Sequence, residues 1–596
     1  MITRVSAGIA AAFAVTPLLP LLRPLFGVPG HGIGLVSVNR YPKGWDYAVV
    51  LILFAVAGLG TWIAGRFTRE WSAGFSGDGT TTAEAGAPSI VVVLLMVVVF
   101  LAILPARDHP YAFADPYHEG ENLSAASVMM SGGRPYRDIW FMHGIAADGG
   151  LDLLVLGDPP SILRTRRIRS VLGAATVALL VPIAAEVSST WLGVIFGTMA
   201  SLAAIAAGQL PATPHYRLLP LLLAVWLALI AIRKERRAFL IAACAVASAG
   251  LLWSLDVGLF ATAGIWGWMI LRKRLDWRAA IATILTPLLL LLITRSDISR
   301  FFRDSFLRLP ECFDAIYSLP APPLPALSFP WLVSDAPHYY VPPIVYGVLA
   351  AAALLIPDRR RGDAMLLLAF VAFVEFRTAS GRVSWGHIRF SLPLLGIIVV
   401  AFAIEPLIRM KRWKEIALAI VLIVLAIPYF ELPANAKDLA GHWMTYRERL
   451  HPTPGTVSFP IPRARDLFTY QQEANDVGAL YAFSQSQPPG PIFDYSGEKF
   501  LYYMLARPAA TRCHDIPYLS DPKLGSEAMK QLERHRPVFV VVKGHEVLAN
   551  IDGVSNRQRT PWLAKWIDAN YPQRITIGRY TVGLPSTHEF QPNVSR

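Results

Sequence analysis

Long apolar runs separated by short polar connections make up the first 430 residues of this chain. Runs of spanning or near-spanning length fall near 5–26, 46–65, 88–106, 169–186, 190–208, 217–232, 237–253, 255–271, 279–294, 341–356, 364–377, 389–408 and 414–429. Roughly 20 apolar residues carry a helix across about 30 Å of hydrocarbon, and a lipid-facing helix must be apolar all round. The pattern therefore predicts a mainly α, polytopic membrane protein with about thirteen spans, some completed by flanking residues. From about residue 430 proline, aromatic and charged residues return, and no further spanning run occurs. There "PIFDY" (491–495) and "PVFVVVK" (537–543) read as short buried strands, and "EKFLYYMLA" (498–506) and "PWLAKWIDANY" (561–571) as helices. The expected division is a membrane domain, 1–430, and a small α/β extracytoplasmic domain, 431–596.

Composition supports the same class. The 596 residues are 54% hydrophobic and 16% charged, against roughly a quarter charged in soluble chains, and mean hydropathy is +0.43. The net charge of +13 does not point to nucleic acid, because the basic residues sit in short clusters between apolar runs. These are "RKERR" (233–237), "RKRLDWR" (272–278), "RRRGD" (359–363) and "RMKRWK" (409–414). Placed in the cytoplasm by the positive-inside rule, they put the N-terminus and the loop 66–87 inside. Connections 107–168, 295–340 and 377–388 are then outside, with everything after 430. The N-terminal run reads as a retained first span. "RTRRIR" (164–169) breaks the rule on the outer face, so either a span is miscounted or these arginines have a task there. Cys244 falls within a span; Cys312 and Cys513 form no metal pattern and read as unpaired thiols, although one side of the membrane could hold both.

The outer connections concentrate the chemistry. "DPYHEGENLSAASVMMSGGRPYRDIWFMHG" (115–144) opens with Asp115 as a helix cap, and a helix is predicted from Pro116 to Met130. Glu119, Asn122, Leu123 and Ala126 share one face of it. A partly desolvated carboxylate there is a candidate general base, with His118 and Glu121 placed to tune it or to ligate a cation. The same acids would equally serve as first-turn charges favoured by the helix dipole. Arg134 and Arg137 suit bidentate phosphate binding or salt bridging to Asp138. His143, His215, Arg217, Asp256, Arg377, Arg382, His387 and Arg389 add further charged and imidazole groups to the same surface.

Residues 118–144 resemble the first large outer loop of the C-type (GT-C) membrane glycosyltransferases, in the broad dolichyl-phosphate-mannose/ArnT-like group. That loop commonly has an acidic pair, Gly, a helix, then Gly-x-Pro-Tyr-Arg-Asp and His-Gly. "LGDPPSILRTRRIRSVLGA" (156–174), "WSLDVGLFA" (253–261) and "GRVSWGHIRFSLP" (381–393) resemble later stretches, with Ser384 where an acid is expected. The resemblance implies inverting transfer of a sugar from a polyprenyl-phosphate donor to a glycan, lipid or protein hydroxyl, on the outer face of a plasma (bacterial inner) membrane. It implies Glu119 as general base or acceptor-orienting carboxylate. His118 stands at the first acidic position, so a divalent cation, Mg or Mn, would fall to Glu119 and Asp115, the latter only if the helix begins late. Arg134, Arg137, Arg164, Arg166, Arg217 and Arg382 are the implied donor-phosphate ligands. No nucleotide cofactor is expected, since neither a Gly-rich phosphate loop nor an Asp-x-Asp motif stands out. Three alternatives stay open: a lipid-linked glycan polymerase or ligase, a transporter or flippase with charges at mid-membrane, and a scaffold in which Glu119 is dispensable.

Overall fold

The computed structural model describes residues 2–67, 89–206, 214–326, 328–410 and 413–586. Most of the loop expected at 66–87 lies outside these residues. Each of the thirteen apolar runs coincides with helix, though not always unbroken helix. Seven described helices are long and apolar enough to cross a membrane: Thr3–Leu25, Gly44–Arg66, Ile90–Arg107, Ile162–Val187, His215–Lys234, Ala336–Leu355 and Arg359–Gly381. A pair bent by 50°, Trp413–Tyr429 and Leu432–Met444, makes an eighth candidate. The apolar helices Trp191–Ala206, Arg237–Trp253, Leu255–Leu271 and Trp277–Ile293 are shorter. The run at 389–408 is divided, with a π turn at Val400–Ile404 between Leu395–Val399 and Glu405–Arg409.

The outside of this bundle is apolar. Leu51, Val93, Leu94, Ile284, Leu289, Val424 and Leu425 are among many large aliphatic side chains left exposed along the helices. A continuous apolar surface of this kind is stable against hydrocarbon and not against water, so the chain is a multi-pass membrane protein. Three of the four basic clusters meet at one end of the bundle. Arg272 and Arg274 pair with Asp363 at 2.7 and 2.8 Å, Arg360 with Glu235 at 3.3 Å, and Arg233 with Glu186 at 3.1 Å.

The opposite end carries the long connections and the strand-containing C-terminal region. β1 (Thr456–Ser458) pairs antiparallel with β2 (Phe468–Tyr470). A second sheet joins β3 (Phe493–Asp494), β4 (Val540–Lys543), β5 (Gln573–Ile577) and β6 (Tyr580–Leu584) in the order β3-β4-β6-β5. Its β3–β4 pair is parallel and the others are antiparallel. Both strands read from the sequence are present, as are both helices, at Phe500–Met504 and Pro561–Asn570. The hairpin β5–β6 escaped that reading because β5 is largely exposed and half polar.

This region rests directly on the first outer loop. Phe500 and Tyr503 share a core with Leu123 and Ala126 of helix His118–Met130, and the Phe500 amide donates to the Pro116 carbonyl at 3.2 Å. Gly120 allows the approach, since a Cβ there would stand 2.4 Å from the Phe500 nitrogen.

Asp494 on β3 is fully buried. Its Oδ1 accepts from the Ser496 amide and hydroxyl at 2.9 and 2.5 Å, whereas Oδ2 has no partner. Burial, and after it the nearby Glu498, push its pKa up to about 7. The folded chain thus keeps a proton that an unfolded aspartate gives up near about pH 4, and stability must fall as pH rises between those values. The melting temperature of the detergent-solubilised protein should therefore drop from pH 5 to pH 8, and drop less in Asp494→Asn. Equal slopes would show that Asp494 ionises in the fold without cost.

Candidate functional site

A cavity of about 720 Å³ lies at the end of the bundle beneath the C-terminal region. Every outer segment singled out in the sequence contributes to it. Asp115, His118 and His143 come from the first connection, and Arg217 and Asp256 from two helix starts. Leu309, Phe313 and Tyr317 come from the next connection, and Arg377, Arg382 and His387 from the last. Asp552 and its neighbours, from the C-terminal region, complete the wall. The lining is thus amphipathic, with leucine and phenylalanine on some walls and charged groups on others.

Two histidines that face it, His118 and His143, are each held by an aspartate. The helix begins at His118, two residues later than expected. Asp115 Oδ1 therefore accepts the Tyr117 and His118 amides at 3.0 and 2.9 Å, and Oδ2 lies 2.8 Å from His118 Nδ1. Burial raises the Asp115 carboxyl, but the imidazole and the two amides outweigh it and hold the group below its ordinary value. Asp115, accepting from Nδ1–H, favours the His118 tautomer whose lone pair is on Nε2. Asp148 treats His143 likewise. Its Oδ1 is 3.0 Å from Nδ1, and its Oδ2 accepts the Met142 and His143 amides at 2.8 and 2.6 Å.

Three guanidiniums reach the same cavity. Arg217 donates to both oxygens of Asp256 at 2.8 and 2.7 Å and to Ser254 Oγ at 2.9 Å. Arg382 binds Asp552 bidentately at 2.9 and 2.8 Å and the Tyr317 carbonyl at 2.7 Å. Arg377 is held more loosely, 3.4 Å from Asp314 and 4.1 Å over the Tyr47 ring, with its side chain 40% exposed. Burial, then the Arg382 and Arg217 charges, hold the His387 imidazole down to about 3. It is therefore neutral, with Nδ1 2.8 Å from Ser384 Oγ.

Glu119 turns away from this cavity to a second one of about 290 Å³. Both of its oxygens accept from Arg166, at 2.7 Å each, and Arg166 also donates to the Pro110 and Ala112 carbonyls. Arg169 pairs with buried Asp152. The arginines that break the positive-inside rule thus bind acids and carbonyls of the outer loop. Asp115 and His118 line both cavities.

A buried network ties the loop to the C-terminal region. Lys499 Nζ is 3.3 Å from Asp515, 3.5 Å from Glu121 and 3.8 Å above the Tyr117 ring. The Tyr117 and Tyr317 hydroxyls are 2.5 Å apart, and Tyr317 donates to Asp515 at 2.7 Å. Glu119 and Asp115, the residues expected to hold a divalent cation, are already engaged. Arg166 stands where a cation on Glu119 would, and Asp115 is spent on His118 and two amides. The ligand atoms of Glu121, His143 and Asp148 lie within 4.8 Å of one another, with Lys499 3.5 Å from Glu121 and the Met142 and His143 amides on Asp148 Oδ2.

No protein-family model and no curated protein matches the chain. Among solved structures it is similar to ArnT from Cupriavidus metallidurans bound to undecaprenyl phosphate, at 14% identity and a TM-score of 0.47. It is also similar to ArnT from Cupriavidus metallidurans in the apo state, at 16% and 0.41. Each match covers 83% of this chain and 98% of the other. Likenesses this remote assign no residue a role, and chemistry has to be argued from the site itself.

Several expected residues stand apart from both cavities. Arg134 and Arg137 are exposed, bonded to the Arg295 carbonyl and Asp138 respectively. Arg164 is exposed and reaches the Leu156 carbonyl. His215, by contrast, does line the second cavity, where it is buried with Nε2 3.0 Å from the Ile205 carbonyl. Arg389 is buried over the Trp385 ring and pairs with Glu431. Cys244, Cys312 and Cys513 are free and buried. Lys499, Asp515, Tyr317 and Asp552 were missed. They sit in the C-terminal region or the 295–340 connection, where no spacing links them to the first loop.

Lys499→Met leaves Asp515 and Glu121 as buried carboxylates without a counter-charge, a loss on the order of 3–5 kcal/mol. Thermal unfolding followed by tryptophan fluorescence should show a melting temperature lowered by several degrees, and an unchanged value would show that the ammonium holds nothing together.

Proposed function

We propose that the chain is an inverting membrane glycosyltransferase that moves a sugar from a polyprenyl-phosphate donor to an acceptor hydroxyl. The observation that carries this reading is the composition of the larger cavity. At the end of an apolar bundle, one chamber combines an aspartate-oriented imidazole, arginines and apolar walls. A lipid-linked sugar phosphate needs all three. Its isoprenoid lies along apolar helices, its phosphate needs cationic donors, and the incoming hydroxyl needs a base.

In the reaction the acceptor oxygen attacks the anomeric carbon as the bond from that carbon to the phosphate oxygen breaks. The acceptor proton passes to His118 Nε2, and the electron pair leaves on polyprenyl phosphate. Asp115 holds the imidazole in the receptive tautomer and stabilises the imidazolium that forms. Arg377, the least committed guanidinium, binds the phosphate. Arg217 and Arg382 keep their carboxylates and add positive charge to the chamber wall, and neutral His387 is a further ligand without added charge. Glu119, locked to Arg166, braces the loop. No step uses a metal or a nucleotide. The basic clusters at the far end support a cytoplasmic location for that end, and with it action of the cavity on the outer face of the plasma membrane.

Purified protein in nanodiscs, given a panel of polyprenyl-phosphate sugars labelled in the sugar and an envelope lipid extract, should transfer label and release polyprenyl phosphate. His118→Gln should lower kcat by about 10²- to 10⁴-fold, with Glu119→Gln less damaging. The reverse order would return the base to Glu119. Mass spectrometry of envelope glycans and lipids should show a sugar missing from cells lacking the protein, and an unchanged profile would count against transfer altogether.

A further inference from the structure

Among the described residues three carboxylates line the larger cavity, Asp115, Asp256 and Asp552, and the third is held differently from the others. Asp256 sits in the first turn of helix Leu255–Leu271, where Arg217 and Ser254 bond it. Asp552 belongs to the stretch 545–553 of the C-terminal region, which has no buried residue. Its φ of 55° is left-handed, a conformation that aspartate tolerates better than most residues, and Gly553 follows at 75°. Both of its oxygens go to Arg382. The backbone around it is fastened separately, because Arg559 donates to the Ile551 and Val554 carbonyls at 2.8 and 3.1 Å. Arg382 has its own second anchor in the Tyr317 carbonyl. The pair can therefore part by side-chain rotation alone.

Arg382 also lies beside Arg377, the proposed phosphate ligand. Both belong to one short connection, and the Arg377 guanidinium folds over Gly381, where a Cβ would collide with its Nη1. A carboxylate held bidentately by a guanidinium occupies the place that a phosphate would take on the same fork. Two oxyanions then compete for Arg382, and their charges decide between them. A polyprenyl-phosphate sugar is a phosphodiester with one negative charge, which Arg377 answers. The polyprenyl phosphate left after transfer is a monoester with nearly two at neutral pH, since its second pKa is about 6.

We propose that Asp552 stands in for phosphate on Arg382 and expels the spent polyprenyl phosphate. The inference rests on the transfer reading and extends it to product release. The donor leaves the Arg382–Asp552 pair intact, whereas the second charge of the monoester draws Arg382 towards the product. Product binding is weakened by the pair it must break, and the return of Asp552 to Arg382 frees the carrier. A residue of the C-terminal region thus makes the cavity discriminate against its own product.

The test titrates the full chain in nanodiscs at pH 8 with three probes: undecaprenyl phosphate, its methyl ester (a diester of single charge) and inorganic phosphate. Asp552→Asn and Asp552→Gly remove the competing charge, and both new residues accept a left-handed φ. Each should tighten undecaprenyl phosphate binding by about 10-fold, the worth of one charge-assisted contact, and leave the methyl ester unchanged. Asp552→Glu, which keeps the charge, should stay near the parent value. Undecaprenyl phosphate binding that weakens or stays the same in both variants makes the pair a plain staple between the bundle and the C-terminal region. That result overturns the proposal and leaves the transfer reading standing. Equal tightening of the methyl ester overturns the discrimination by charge. Inorganic phosphate binding the parent as tightly as undecaprenyl phosphate overturns the carrier as ligand. Undecaprenyl phosphate that binds neither the parent nor the variants brings down the transfer reading and the proposal together.

Discussion

The Lys499 ammonium, buried between Asp515 and Glu121 with the Tyr117 ring beneath it, is the contact on which the outer end of the molecule depends. Glu121 belongs to the first outer loop, Asp515 to the C-terminal region, and Tyr317, which donates to Asp515, to a third connection. The first loop and the 295–340 connection share their apolar cores with the C-terminal region. Joined around one charge, they set the position of Tyr117 and hence of Asp115 and His118 on either side of it. The buried charges also impose register, because a displaced loop would leave carboxylates unpaired in a dry interior.

Lipid imposes the complementary constraint. Along the spans the surface must be apolar, so charged groups collect at the two ends of the bundle. At one end they pair among themselves, as Arg272 and Arg274 do with Asp363. At the other they enclose two cavities. The arginines of 164–169 fit this division once their partners are known. Arg166 and Arg169 are engaged at this end by Glu119 and Asp152.

The layout was legible in the sequence because membrane spans are long and their signal is additive. The convergence of the outer segments followed from simple alternation of those spans, and the cavity draws on each of those segments. The distribution of roles within the first loop was not legible. Helical spacing placed Glu119 on an inward face, and the structure adds that this face meets Arg166, 47 positions later. Arg134 and Arg137 looked like phosphate ligands by residue type, yet the Gly-Gly turn before them carries both to the exposed rim. Lys499 and Asp515 gave no signal, since a lysine within "EKFLYYMLA" reads as an ordinary surface charge until the helix is docked. Such pairings depend on which distant segments touch, and a single sequence carries no measure of that.

His118 and Glu119 are neighbours on one helix turn, and consecutive helical residues point about 100° apart. One therefore borders both cavities while the other belongs to the second alone. In the proposed reaction the division has an electrostatic consequence. A carboxylate base beside the departing phosphate would add repulsion as negative charge develops on the leaving group. An imidazole begins neutral and becomes a cation as it takes the acceptor proton, so it attracts the phosphate at the moment the bond breaks. The carboxylate needed to hold that imidazole is supplied by Asp115 from the loop before the helix. Setting His118 against Asp115 and committing Glu119 to Arg166 are then two parts of one arrangement, which keeps the Glu119 charge out of the donor chamber and a base within it.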